Sequence, residues 1–241
     1  MSPAAAPEAR LRDGVVRTAR AMNALGINQG RSGNVSARFH DPVLGDGFLI
    51  TPSGVAYDAM TADMVVPVGL DGTYRGDHAP STEWRMHRDI YAARPAAGAV
   101  VHTHSPFATS LACLGRRIPA FHYMVAVAGG TSIEVADYAT FGTQALSDAM
   151  LAALGDRRAC LLANHGMICW GGTLDKALDL AVEVEALAQQ YWHACALGQP
   201  RLLTDAEMAP VLARFAAYGR PAGERTADDE SVLELPRRVP G

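Results

Sequence analysis

Two hydrophobic patterns alternate along the chain, and together they predict a mixed α/β fold. Apolar residues at helical spacing predict six helices, and short apolar runs between turn residues predict seven strands. The helices are expected at 8–25, 82–93, 106–114, 141–154, 174–197 and 205–217, and the strands at 34–39, 47–51, 64–68, 98–103, 132–136, 159–163 and 167–170. Consecutive strands without a helix between them imply partly antiparallel pairing, and helices before and after them imply a cover on both sheet faces. The predicted fold class is therefore an α/β/α sandwich.

The organisation of the chain indicates a single domain. No internal repeat and no long linker interrupts the elements, so the domain is expected to span 8–218. The segments 1–7 and 219–241 are rich in small, proline, glycine or charged residues and are predicted to be loose termini. Neither of the common glycine-rich nucleotide motifs occurs, so nucleotide binding has no support from a motif.

Composition narrows the classes of partner. The 241 residues carry a formal net charge of −4, which argues against nucleic acid as a partner. No apolar run is long enough to cross a bilayer, so no membrane partner is expected. The four cysteines form no Cys-x-x-Cys pair, which is typical of free thiols in a reducing compartment and predicts a cytoplasmic protein.

Histidines at the ends of two predicted strands are the strongest chemical signal. His102 and His104 follow the apolar run 97–101, and alternate positions of a strand project to one face, about 6.5–7 Å apart. His165 lies in a similar setting, because it follows the apolar run 160–163 after one asparagine and precedes Gly166. A single histidine on an apolar strand is usually a buried core residue, but three at strand ends beside a carboxylate predict a catalytic metal site. Neutral imidazoles favour zinc, and other divalent transition metals remain compatible.

Glu83 is the candidate carboxylate, and it has two interpretations. Ser81 or Thr82 can cap the predicted helix at 82–93, which would place Glu83 in its first turn. The simpler interpretation is that the carboxylate complements the positive end of this helix. The functional interpretation is that this helix end faces the metal, with Glu83 as a ligand at rest and a general acid/base during turnover.

Three polar loops could bind an anion: Gly33-Asn34-Val35-Ser36, Thr51-Pro52-Ser53-Gly54 and Ser81-Thr82. Each offers hydroxyl, amide or backbone N–H donors, although each could also be an ordinary turn. Arg31 is the cation nearest the first loop, and its role is open. Lys176 is the only lysine and lies in an acidic helical context, so carbanion chemistry would depend on a metal rather than on an imine.

These motifs, in this order, resemble the class II aldolase/adducin family. Two further segments, 118–124 with 128–130 and 138–143, are similar to its L-fuculose-1-phosphate aldolase branch. The resemblance covers roughly residues 10–220. It implies a three-layer α/β/α sandwich with a mixed, largely antiparallel central sheet, and a homotetramer with active sites between subunits. Two departures affect the fit of the substrate: Thr82 stands where serine is common, and Ser53 where threonine is common.

The resemblance also implies roles for particular residues. Zn²⁺ would be held by His102, His104, His165 and Glu83, with Glu83 also the catalytic acid/base. The substrate phosphate would be bound by Asn34, Ser53, Gly54, Ser81 and Thr82. Tyr123 would reach in from the adjacent subunit as a catalytic proton donor, and Tyr218 resembles a tyrosine near the C-terminus of the aldolase branch.

The expected function is a zinc-dependent aldolase that reversibly cleaves a ketose 1-phosphate, similar to L-fuculose 1-phosphate, to dihydroxyacetone phosphate and a short aldehyde such as L-lactaldehyde. The alternatives are a pentulose-5-phosphate 4-epimerase, or another sugar-phosphate lyase of the family, namely a dehydratase or a decarboxylase. A further alternative is a non-catalytic scaffold like the cytoskeletal adducins, which the presence of all three histidines and Glu83 disfavours.

Overall fold

The computed structural model describes residues 5–217 and residue 232. Six α-helices lie in this part of the chain: α1 Ala5–Ala24, α2 Trp84–Ala93, α3 Pro106–Cys113, α4 Gln144–Leu154, α5 Leu174–Leu197 and α6 Asp205–Ala217. The strands are β1 Asn34–Asp41, β2 Gly45–Ile50, β3 Val66–Gly69, β4 Ala99–Thr103, β5 Val135–Ala136, β6 Ala159–Leu162 and β7 Gly166–Gly171. Two 3-10 helices, Ala62–Met64 and Tyr123–Ala128, complete the elements.

The seven strands form one mixed sheet in the order β3-β2-β1-β4-β7-β6-β5. Every neighbouring pair is antiparallel except β5 and β6, which are parallel. Strand β4 lies at the centre, and its residues Ala99–Thr103 are all buried. The mixed, largely antiparallel sheet is therefore confirmed.

Side chains of successive strand residues point to opposite faces, and the two faces have separate cores. Val101 packs in the core that contains residues of α1, α3 and α5, whereas Val100 packs in the core that contains residues of α2 and α4. The α/β/α sandwich is thus confirmed, with β4 buried between its two helical layers. His102, two positions after Val100, points to the same face as Val100, which is the side of α2.

Several boundaries differ from the prediction. Helix α1 begins at Ala5 rather than at residue 8, so part of the predicted loose segment 1–7 is helical; Pro7 is tolerated because N–H groups of a first turn have no intrahelical partner. Strand β5 is only Val135–Ala136, shorter than the predicted 132–136. Tyr218 and most of 219–241 lie outside the described residues, and the extent of the domain stays a prediction.

A capping box begins the last helix. The backbone N–H of Glu207 donates to Thr204 Oγ1 at 3.2 Å, and the Thr204 N–H donates to Glu207 Oε2 at 2.8 Å. All four cysteines are free; Cys160 and Cys169 are buried and Cys113 is exposed. Among the described residues, no helix is both long and apolar enough to cross a membrane.

Candidate metal and catalytic site

The central strand fixes the orientation of His102. Its side chain is fully buried, and Nδ1 lies 2.8 Å from the backbone carbonyl oxygen of Met167 on the neighbouring strand β7. A carbonyl oxygen can only accept a hydrogen bond, so Nδ1 carries the proton and donates it. In the neutral ring, Nε2 is then the atom with the free lone pair. A histidine that ligates a metal through one ring nitrogen typically donates its other ring N–H to a carbonyl or carboxylate in this way.

His165 is presented by the tight turn between β6 and β7. The turn contains Asn164 at φ 54°, a left-handed conformation that asparagine tolerates better than most residues. The His165 N–H closes the turn on the carbonyl of Leu162 at 3.1 Å. Gly166 follows, and a Cβ there would contact the Thr103 carbonyl oxygen and lie 3.0 Å from His104 Cδ2. A glycine is therefore required for this turn to approach the end of β4.

The three histidine rings converge as the sequence predicted. Their centroids are separated by 5.0 Å for His102–His104 and by 4.9 Å for each of the other two pairs. The ring planes meet at 74° to 79°, so the three rings surround a common point rather than stacking. The Nε2 atoms of His102 and His104 are 3.1 Å apart.

Glu83 completes the cluster, and its helix begins later than predicted. Helix α2 starts at Trp84, and Glu83 is the residue before it rather than part of the first turn. Its side chain makes no capping hydrogen bond to that helix. Instead, Oε2 lies 3.1 Å from His102 Nε2 and Oε1 lies 3.0 Å from His165 Nε2. The Glu83 carboxylate therefore lies against the histidines and does not cap its own helix.

The four residues fit a divalent metal ion. One ligand atom from each of Glu83, His102, His104 and His165 lies within 4.8 Å of all the others. Glu83 Oε1 is buried and has no hydrogen-bond partner, which is costly for a carboxylate oxygen unless a cation compensates it. Three histidines with one carboxylate form a donor set that is typical of zinc and of similar transition metals.

The electrostatics of the cluster also favour a positive charge at this point. Burial opposes ionisation of Glu83, but the neighbouring imidazoles of His102 and His165 outweigh it and hold the pKa of the carboxyl below its usual value. Burial likewise opposes a charged His102, but Glu83 outweighs it and raises the pKa of that imidazole. Burial, together with the neighbouring His102 and His165, lowers the pKa of His104 to about 4, which keeps His104 neutral and able to ligate.

A buried histidine that the sequence interpretation missed stands behind Glu83. His87 is fully buried and hydrogen-bonds to both Asn34 and Ser36, although the sequence analysis did not single it out. Asn34 in turn donates from Nδ2 to Glu83 Oε2 at 2.9 Å. The available signal was helical spacing, because His87 follows Glu83 by four positions within the predicted helix 82–93, and residues four apart lie on one helix face.

The predicted anion-binding loops are brought together beside Glu83. The Ser53 N–H donates to the carbonyl of Ala79 at 2.9 Å, and the Ser81 N–H donates to the carbonyl of Thr51 at 3.1 Å. The backbone N–H of Glu83 donates to Ser81 Oγ at 3.3 Å. This pairing places residues 53 and 54 next to residues 81 and 82, on the Glu83 side of the sheet. Ser53, Gly54 and Thr82 are exposed, and Ser81 is buried.

Arg31 supplies a cation at the edge of these loops. Its guanidinium Nη1 donates to the carbonyl oxygen of Gly54 at 2.9 Å. The contact ties an exposed arginine to the loop at 51–54, whose other polar groups are uncharged.

The structure does not bring Tyr123 into the cluster. Tyr123 begins the 3-10 helix Tyr123–Ala128 and is 50% exposed. Its described contact is with the ring of His122, 4.8 Å away between centroids. Lys176, the only lysine of the sequence, is exposed on α5, so it does not offer the desolvated amine that imine chemistry requires.

The fold and the cluster of three histidines with Glu83 are features of a known protein family. The family described as "Class II Aldolase and Adducin N-terminal domain" matches residues 13–192. The chain belongs to this family, and it is a class II aldolase, an aldehyde-lyase whose chemistry depends on a metal ion. The resemblance inferred from the sequence motifs is confirmed.

Individual relatives narrow the comparison. The chain is 53% identical, over 87% of its length and 92% of the relative's, to a 5-methylthioribulose-1-phosphate/5-deoxyribulose-1-phosphate aldolase of Rhodospirillum rubrum. It is 46% identical to the L-fuculose phosphate aldolase of Escherichia coli K12, over 85% of this chain and 94% of that one. A solved L-fuculose 1-phosphate aldolase superposes with a TM-score of 0.81 at 34% identity, covering 86% of this chain and 96% of the other.

Proposed function

We propose that the protein is a zinc-dependent aldolase that reversibly cleaves a ketose 1-phosphate between C3 and C4. The products are dihydroxyacetone phosphate and a short aldehyde. The observation that carries the proposal is the convergence of three histidines with Glu83, whose Oε1 is buried without a hydrogen bond. The chain's similarity to aldolases of two related substrate groups supports the same reaction class.

The substrate is proposed to be a ketose 1-phosphate with a deoxygenated or thioether terminus. Cleavage of L-fuculose 1-phosphate at C3–C4 would release L-lactaldehyde, and cleavage of a 5-deoxyribulose 1-phosphate would release acetaldehyde. The relatives act on both groups, and the one named for the ribulose phosphates is the more similar of the two, at 53% against 46% identity. We therefore place 5-substituted ribulose 1-phosphates beside L-fuculose 1-phosphate as candidates.

Glu83 is proposed to move the proton at C3. In the condensation direction its carboxylate removes a proton from the hydroxymethyl carbon of dihydroxyacetone phosphate, which becomes C3 of the ketose, and in cleavage it returns a proton to that carbon. A divalent cation held by His102, His104 and His165 would polarise the substrate ketone and so stabilise the negative charge that develops at C3. Tyr123 of an adjacent subunit would protonate the aldehyde oxygen in condensation and take that proton back in cleavage.

The paired loops are proposed to bind the substrate phosphate. Ser53, Gly54, Ser81 and Thr82 offer hydroxyl and backbone donors, and Arg31 adds a charge at their edge. Asn34 uses one amide hydrogen for Glu83, and an amide nitrogen carries a second for a substrate oxygen. Fixing the phosphate would hold C3 near Glu83, so that binding supplies orientation for the reaction.

A homotetramer with sites between subunits is part of the proposal. Tyr123 is half exposed, and its described ring contact is with His122 rather than with His102, His104 or His165, as expected of a residue that serves a neighbouring subunit.

A substrate panel tests the proposal. Zinc-loaded enzyme is incubated with L-fuculose 1-phosphate, 5-deoxyribulose 1-phosphate, 5-methylthioribulose 1-phosphate and L-ribulose 5-phosphate, and released dihydroxyacetone phosphate is measured with a coupled NADH-dependent reductase. We expect release from at least one of the 1-phosphates, loss of release after chelation, and recovery with added zinc. Epimerised L-ribulose 5-phosphate without any triose phosphate would instead identify an epimerase.

A further inference from the structure

We propose that His87 is a positioning residue that orients the Glu83 carboxylate through Asn34, so that Oε2 is held by the Asn34 amide and Oε1 faces His165. The inference rests on the proposed function for its catalytic meaning, although the orientation of the side chains can be tested without it. His87 hydrogen-bonds to Asn34 and Ser36 of the first predicted anion-binding loop, and it reaches Glu83 only through Asn34.

The geometry is an uninterrupted chain of buried hydrogen bonds between β1 and α2. Tyr91 Oη lies 2.8 Å from Ser36 Oγ, and Ser36 Oγ lies 2.6 Å from His87 Nδ1. His87 Nε2 lies 2.5 Å from Asn34 Oδ1, and Asn34 Nδ2 lies 2.9 Å from Glu83 Oε2. None of the five side chains belongs to a residue more than 5% exposed, so solvent does not replace these partners.

The Glu83 carboxylate, which ends the chain of hydrogen bonds as an acceptor, fixes the donor and the acceptor in each of the other bonds. A carboxylate only accepts, so Asn34 must present its Nδ2, and its Oδ1 must then accept from His87 Nε2. Burial lowers the pKa of His87 to about 3, so the ring is neutral and carries its single proton on Nε2. Nδ1 is therefore an acceptor for the Ser36 hydroxyl, which in turn accepts from Tyr91.

This direction locks the amide of Asn34. A flip would turn Oδ1 towards Glu83 Oε2 and Nδ2 towards the His87 N–H, so two acceptors and two donors would face each other in a buried site. Glu83 Oε2 is thus held by Asn34 and lies beside His102, whereas Oε1 lies 3.0 Å from His165 Nε2 and receives no amide hydrogen. The arrangement fixes which carboxylate oxygen faces each histidine before any substrate binds.

The tautomer of His87 is the direct test. In ¹⁵N-histidine spectra of the zinc-loaded protein at pH 7, we expect a neutral ring protonated on Nε2, with its signal assigned by its absence in His87→Gln. A ring protonated on Nδ1, or on both nitrogens, would overturn the proposal. This measurement needs no substrate. If the wild-type enzyme releases no triose phosphate from any sugar, the proposed function fails while the spectrum still decides the orientation.

Two variants test the consequence for turnover. The amide of His87→Gln can reach the place of Nε2 and donate to Asn34, whereas the shorter side chain of His87→Asn reaches only the place of Nδ1. We expect kcat to fall about 10–100-fold in His87→Asn with KM within about threefold, and to stay within about fivefold of wild type in His87→Gln. Exposed His193→Asn is the control and should match wild type.

A merely structural role gives a different result. If His87→Gln and His87→Asn lost kcat equally, or if His87→Asn kept full kcat, the positioning role would be rejected. Circular dichroism and thermal melting show whether each variant is folded. Should His87→Asn fail to fold, the spectrum and the activity of His87→Gln still decide the question.

Discussion

Asn34 stands directly opposite His102 in the antiparallel pair of β1 and β4, and its amide donates to the same Glu83 oxygen that lies 3.1 Å from His102 Nε2. The register of two strands therefore places a metal ligand and the group that orients the acid/base side by side. Because the pairing is buried and central, a one-residue slip would turn both side chains to the other face of the sheet. The positions of Asn34 and His102 are consequently held by the packing of the central strands.

Glu83→Gln should leave the fold intact and lower kcat about 100- to 10,000-fold, because the neutral amide can neither take nor return the C3 proton. The measurement is steady-state cleavage of the best sugar phosphate, with zinc content determined on the same sample. Glu183→Gln, a carboxylate on α5 outside the metal cluster, is the matched control. Full activity of Glu83→Gln with zinc bound would remove Glu83 from the chemistry.

Gly166→Ala should weaken zinc binding about 10–100-fold, because the added Cβ would contact the Thr103 carbonyl and press on the His104 ring, 3.0 Å away. Zinc affinity is measured by competition with a chelator of known strength. Gly172→Ala is the matched control, since a Cβ there meets nothing within 4 Å. Equal zinc affinity in the two variants would show that this approach does not control the His104 ring.

Mixing two inactive variants should restore activity if each site combines Glu83 of one subunit with Tyr123 of another. Glu83→Gln and Tyr123→Phe are unfolded together, refolded as a mixture and compared with each variant treated alone. Hybrid oligomers would then contain some sites with both groups intact. No recovery in a mixture shown to contain hybrids would mean that both groups come from one chain, or that Tyr123 takes no part.

Arg31→Gln should raise KM for the phosphorylated substrate about fivefold with little change in kcat, because an exposed arginine contributes about 1 kcal/mol to binding an anion. Arg31→Lys keeps the charge and should recover part of the loss. Arg17→Gln, an exposed arginine on α1, serves as the control. Raised ionic strength should reduce the difference between wild type and Arg31→Gln, and an unchanged KM would exclude Arg31 from phosphate binding.

Glu185→Ala should lower the free energy of unfolding by about 2 kcal/mol, because Glu185 accepts the backbone N–H groups of Phe107 and Ala108, each at 2.8 Å. These donors begin α3, directly after the segment that carries His104, so we expect zinc affinity to fall as well. Denaturant unfolding and the chelator competition measure the two effects. Exposed Gln190→Ala on the same helix should change neither, and a Glu185→Ala variant as stable as wild type would contradict the capping role.

The sequence was sufficient for the elements that depend on local pattern. Helical periodicity and short apolar runs between turn residues located all six helices and all seven strands of the described chain, with errors mainly at the ends. Short strands such as β5 were overestimated, because a strand end is set by its partner and not by its own residues. The capping box at Thr204 was predictable for the opposite reason, since all its atoms lie within four residues.

The site residues also fall into those that local sequence predicted and those that depend on distant contacts. His102 and His104 were readable as a pair because a strand has a fixed two-residue period, and Glu83 with His165 followed from recognisable motifs. The sequence could not show that Glu83 turns away from its own helix, or that Asn34 faces the histidines. His87 was missed because its partners Asn34 and Ser36 lie on β1, far away in the chain.

Residue types and their spacing thus determined by themselves which chemistry this protein can perform: imidazoles and a carboxylate for a metal, no desolvated lysine, and hydroxyl-rich loops for an anion. Tertiary structure alone decided which atoms of those groups meet. Side-chain contacts between distant segments depend on strand register and on packing across the sheet, and neither is encoded in any local stretch of the chain. The hydrogen bonds that join His87, Asn34 and Glu83 Oε2 are the clearest instance.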